Sequence, residues 1–166
     1  MRTGSDFVIV TAGVLLAILL LFGCPTWLHR DVWYVAFAHH FFHVNPFHLA
    51  VNCLSLWTLR NRVTALQCVA AYIIATASWF FAVTDVAGAS NFIFALIGLR
   101  TPSLKSMWWR QSAVLVFLVT MVLMAVFPQV SALTHIVSFV LGCAGAALSR
   151  LFSRITDDVR RASYHR

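Results

Sequence analysis

The chain has 166 residues, of which 61% are hydrophobic and only 10% charged, a balance far too apolar for a soluble domain of this length, so lipid is its expected main solvent. A net charge of +7 would raise nucleic acid as a partner in a soluble protein, but the basic residues fall between apolar stretches, and nucleic acid is set aside. There is no Glu, the five Asp residues sit in expected termini or loops, and the four cysteines are dispersed in apolar segments. Carboxylate-pair chemistry, a zinc site and a disulfide framework are therefore not indicated.

A helix needs roughly 20 apolar residues to cross the hydrocarbon core. The first candidate is 7–24, read as a span and not as a cleaved lipoprotein leader, because Asp6 and Phe22 suit processing poorly. A loop rich in Trp and Phe follows, suited with Trp27 and Trp33 to the outer interface. The second span is 42–59. Residues 63–99 and 111–149 carry no Lys or Arg, and each is close to twice the length of one crossing. Each also breaks near its middle, at Thr84-Asp85-Val86-Ala87-Gly88 and at Pro128-Gln129. They divide into spans at 63–83, 88–100, 111–127 and 132–150, with a basic tail at 151–166 that can lie along anionic headgroups. The predicted fold is all-α: one membrane domain, 1–150, built as a six-span helical bundle.

Lys and Arg set the orientation. With the N-terminus inside, eleven of the twelve fall on the cytoplasmic side and only Arg30 lies outside, so both termini are expected in the cytoplasm of a plasma (inner) membrane protein. The fourth span is short. About 13 residues reach only ~20 Å, so this helix should be surrounded by the others.

Polar side chains in a membrane are costly and point to function. Those in or beside the spans are His39, His40, His43, Asn45, His48, Asn52, Ser90, Asn91, His135 and Ser138, with scattered Ser and Thr. Spans two, four and six all run from outside to inside, which brings His48 and Asn52, Ser90, and His135 to a similar depth on three helices. A hydroxyl, an imidazole and amide or imidazole donors in a low-dielectric pocket suit acyl transfer. Gly88-Ala89-Ser90 allows a tight turn and puts Ser90 in the first helical turn, where free N–H groups favour an oxyanion. Without an intramembrane carboxylate, the chemistry would be that of a Ser/His dyad. His39 and His40 are expected at the interface with no catalytic role.

Three separated motifs resemble those of the rhomboid family. His43-Val-Asn-Pro-Phe-His48-Leu-Ala-Val-Asn52 is similar to its H-x-x-x-x-H-x-x-x-N. Gly88-Ala-Ser90-Asn-Phe-Ile-Phe-Ala-Leu-Ile-Gly98 resembles the nucleophile motif G-x-S-G with its following phenylalanine and glycine. His135-Ile-Val-Ser138-Phe-Val-Leu-Gly142 resembles the H-x-x-G-x-x-x-G of the last span. The resemblance runs from Trp33 to about Ser149. It implies an intramembrane serine endopeptidase that cleaves membrane-protein substrates near the outer leaflet, with Ser90 as nucleophile and His135 as general base. His48, Asn52 and the Ser90 N–H would hold the oxyanion, His43 would support them, and Gly88 would shape the turn. No metal, ATP or nucleotide is called for, and water would reach Ser90 from the outer face.

Asn91 and Ser138 depart from the family pattern, standing where glycines let spans four and six approach. Small residues at 91, 95 and 98 and at 138, 142 and 146 could still pack, with the two polar ones bonding across the interface. A wider approach would instead leave a catalytically inactive rhomboid-like protein that binds membrane helices. A different class, the histidine boxes of membrane di-iron oxidases, is suggested by His39-His40-Phe-Phe-His43. Such sites take more imidazoles than the seven present, with His29 and His165 too distant to help.

Overall fold

The computed structural model describes residues 10–18, 31–43, 45–82, 87–101, 118, 122 and 131–164. All of the expected fifth span except residues 118 and 122, together with Trp27 and the Pro128-Gln129 break, lies outside the described residues. Every described element is helical. After the helical stretch 10–18 come a short α1 (Val35–Ala38), a 3-10 turn (His39–Phe41), α2 (Pro46–Leu59), α3 (Ala65–Ser78) with a second 3-10 turn (Trp79–Phe81), α4 (Ser90–Arg100) and α5 (Ala132–Tyr164).

Local chemistry sets the starts. α2 begins at Pro46, later than the expected 42, because Asn45 caps it: its Oδ1 accepts the His48 N–H at 2.8 Å while Pro46 takes a first-turn position that needs no donor. A capping box opens α3, the Thr64 hydroxyl accepting from Gln67 N–H and the Gln67 side chain accepting from Thr64 N–H. α5 does not stop at 150 but runs as one helix to Tyr164. The chain holds no Gly or Pro beyond Gly145, so nothing there terminates it.

α4 sits at the centre, as its length demands. Nine of its eleven residues are buried, and at roughly 16 Å it could not face lipid along a full crossing. Its Phe92, Ile93, Ala95, Leu96 and Leu99 pack with Leu15, Leu49, Leu56, Cys68, Ala71, Ala75 and Ala146 into one core. The surrounding helices turn apolar faces outward: Val51, Leu54 and Trp57 on α2, Leu66, Val69 and Ile73 on α3, Ile136, Val140 and Leu148 on α5. Outward apolar faces of this kind suit an apolar solvent. Among the described helices, Ala132–Asp157 alone is long and apolar enough to cross a membrane, with Ala65–Phe81 and Ser90–Arg100 as shorter apolar helices.

Close contacts fix relative directions. Ser90 meets His135, and further along Gly98 lies against Gly142, so α4 and α5 run parallel. Ser78 meets Ser138 while Ile74 meets Gly145, so α3 runs antiparallel to both. The α4–α5 crossing depends on glycine. A Cβ on Gly98 would collide with the Phe139 carbonyl, and one on Gly142 would stand 2.5 Å from the Ala95 carbonyl oxygen. Close backbone approach therefore survives although Asn91 and Ser138 replace two small residues, because Gly98 and Gly142 keep it one to two turns further along.

Candidate active site

The site begins with a turn that only glycine adopts comfortably. Gly88 has φ of +112°, in the region L residues avoid. Its N–H donates to the His39 carbonyl at 2.8 Å, and any Cβ there would run into the His48 ring. The next amide, Ala89 N–H, donates to His43 Nε2 at 3.4 Å. Two histidines thus grip consecutive amides of the turn, one through its backbone and one through its ring, and Ser90 follows as the first residue of α4. Its hydroxyl emerges at the helix's N-terminal end, where backbone N–H groups point outward.

His135 stands in the first turn of α5, fully buried. Its Nδ1 lies 2.6 Å from the Ser131 carbonyl oxygen and its Nε2 lies 2.7 Å from Ser90 Oγ. A carbonyl can only accept, so Nδ1 carries the ring proton and Nε2 presents its lone pair to the serine hydroxyl. Ser90 therefore donates to His135, the direction a general base needs. Ser131 O fills the orienting place that a carboxylate holds in a triad. The Phe94 ring, one turn below Ser90, meets the imidazole edge-on at 5.1 Å and 85°, which fixes the ring plane.

The remaining predicted residues divide into two groups. His43 and His48 are drawn to the turn, their rings 5.3 Å apart in an edge-on arrangement. Asn52, four residues beyond His48 on α2, is buried with its Nδ2 unpartnered among the described residues. No hydrogen bond joins it to Ser90 or His135. A buried amide donor without a partner costs stability.

Two expectations are corrected. Asn91 does not bond across the helix interface: it is fully buried and neither side-chain polar atom has a partner among the described residues. Ser138 does bond across helices, but to Ser78 of α3 at 2.7 Å and not to α4. His39 and His40 are both buried within the protein, their rings 3.7 Å apart. His39 Nδ1 bonds the Val35 carbonyl, and His40 Nε2 bonds Thr76 Oγ1 at 3.3 Å.

Sequence reasoning passed over the residues that brace this arrangement. Tyr72 and Thr76, one turn apart on α3, hold the preceding segment through Tyr72 O–H to the Phe37 carbonyl at 3.0 Å and through His40. Ser78 receives Ser138. A run of hydroxyls within an otherwise apolar helix was the available signal.

No curated protein matches the sequence at a significant level. A family model for the rhomboid domain matches residues 30–152, about three-quarters of the chain, and that interval holds His43, His48 of α2, the serine turn and the α5 histidine. The protein is a membrane protein, and the chain belongs to the rhomboid family.

Proposed function

We propose that the protein is an intramembrane serine endopeptidase acting through a Ser90–His135 dyad on transmembrane substrates near the outer leaflet. One observation carries this reading: a buried serine hydroxyl donates at 2.7 Å to an imidazole whose other nitrogen is pinned by a backbone carbonyl. In the first step Ser90 Oγ attacks the scissile carbonyl while His135 Nε2 takes the hydroxyl proton. The oxyanion then forms against the Ser90 N–H, with His48 and the Asn52 amide as further donors. Collapse passes the proton from His135 to the leaving amine and leaves an acyl group on Ser90. Water, deprotonated by the same imidazole, releases the second product and restores both residues.

The topology that goes with this reading is six spans with both ends in the cytoplasm of the plasma (inner) membrane. α2, α4 and α5 then start at the outer face. The parallel course of α4 and α5, the antiparallel course of α3 and the eleven-to-one distribution of Lys and Arg support it. A substrate helix would enter sideways from lipid.

The test is to incubate the purified chain, and a Ser90→Ala variant, with a reporter transmembrane substrate with and without chelator. Cleavage by the wild type alone, unaffected by chelator, is expected. Equal cleavage by Ser90→Ala, or none by either protein, rejects the protease. Loss on chelation would point to metal chemistry.

A further inference from the structure

Nothing in the proposed chemistry uses α3, yet α3 touches both halves of the site. On one side it holds the histidine segment through Thr76 and Tyr72, and that segment grips the serine turn through the His39 carbonyl and the His43 ring. On the other side Ser78, fully buried, meets Ser138, also fully buried, three residues after His135. We propose that Ser78 and Ser138 are a positioning pair that fixes the rotation and depth of α5 so that His135 Nε2 meets Ser90 Oγ; this rests on the protease reading above.

The protons define a one-way chain. Ser78 Oγ lies 2.7 Å from the Ala75 carbonyl, which can only accept, so the single Ser78 proton is committed there. Ser78 must therefore accept from Ser138. The pair ends on α3 backbone, so the Ser138 side chain is referred to a helix rather than to another mobile side chain.

Such a reference is useful because, beyond the dyad itself and the Phe94–His135 ring contact, the close α4–α5 approach is made by small residues, Gly98, Gly142 and Ala95. Contact between small residues limits how closely the helices approach, but dispersion is non-directional and resists sliding or rolling weakly. A hydrogen bond loses its strength within a few tenths of an ångström and a modest rotation. Ser138 lies about 4.5 Å along the helix from His135, so fixing its azimuth fixes that of the imidazole. The position at which the chain departs from the family's glycine thus supplies a directional contact that glycine cannot make.

The experiment compares full-length wild type, Ser78→Ala, Ser138→Ala, the double alanine variant and Ser78→Thr, measuring kcat, KM and thermal unfolding with one transmembrane substrate. Each single alanine variant is expected to lose about tenfold in kcat, the scale of a sub-ångström misplacement, with KM little changed. The double variant should lose no more than either single one. Ser78→Thr, which keeps an accepting oxygen, should recover most of the rate that Ser78→Ala loses. Wild-type kcat in folded single variants, multiplicative losses in the double variant, or a fall in unfolding temperature with kcat unchanged would each overturn the pair. A wild-type chain that cleaves nothing fails earlier, and removes the protease reading together with this inference.

Discussion

Replacing Gly142 with alanine tests the geometry most severely, because the atoms it would meet cannot turn aside. The added Cβ would lie 2.5 Å from the Ala95 carbonyl oxygen, 3.0 Å from the Leu99 nitrogen and 3.1 Å from the Gly98 Cα. All three are backbone. Comfortable contact starts near 3.5 Å, so α4 and α5 must part by about 1 Å at the crossing. His135 lies seven residues away, ~10 Å along the same helix, and a rigid displacement carries it along. The 2.7 Å dyad contact then opens toward ~3.5 Å, past useful hydrogen bonding. The expected outcome is a stability loss of about 1–3 kcal/mol from overpacking and a fall in cleavage on the order of 100-fold. Gly145→Ala is the matched control, since its Cβ meets only side-chain carbons at 3.5 and 3.8 Å, and it should stay within about 0.5 kcal/mol of wild type. Cleavage rate and thermal unfolding of both variants decide it. Wild-type cleavage and stability in Gly142→Ala would refute the reasoning.

Asn52→Ala removes the unpartnered buried donor and should lower kcat about 10²–10³-fold with the fold intact; an unchanged kcat in steady-state assays would place the oxyanion elsewhere. Gly88→Ala must be strained at φ of +112° and also displaces the His48 ring. A cost of about 1–2 kcal/mol in thermal unfolding is expected, together with loss of cleavage. Asn91→Ala deletes two buried polar atoms that have no partner among the described residues. The unfolding temperature should rise, with a gain of about 1–3 kcal/mol, and a lower temperature would mean that the amide has a partner in the bilayer.

How much of this could be read from the chain is clearest residue by residue. Ser90 and His135 were legible because a membrane makes depth computable: charge placement orients the spans, and two helices that start on the same face bring their first turns together. Gly88 was legible because a Gly two residues before a serine at a helix start signals a turn. The partner of Ser138 was not. Hydropathy ranks residues by burial but carries no azimuth, so it could not say that Ser138 turns toward α3 while Gly142 turns toward α4. The same blindness hid Tyr72 and Thr76, whose hydroxyls read as scattered polar atoms in an apolar span. The burial of His39 and His40 was not legible either: two adjacent imidazoles look wet in sequence, whereas the fold buries both and satisfies each through one nitrogen. The length of α5 was missed for a different reason: polarity marks where a helix leaves the membrane, not where it ends.

The central claim is that the Ser90 hydroxyl is activated by His135. The most direct measurement is peptide mass spectrometry of the purified protein after treatment with a fluorophosphonate, which bonds to activated serines. The account predicts an adduct on Ser90 in the wild type and none in His135→Ala. An unmodified Ser90, or one that reacts equally well without the His135 imidazole, would contradict it.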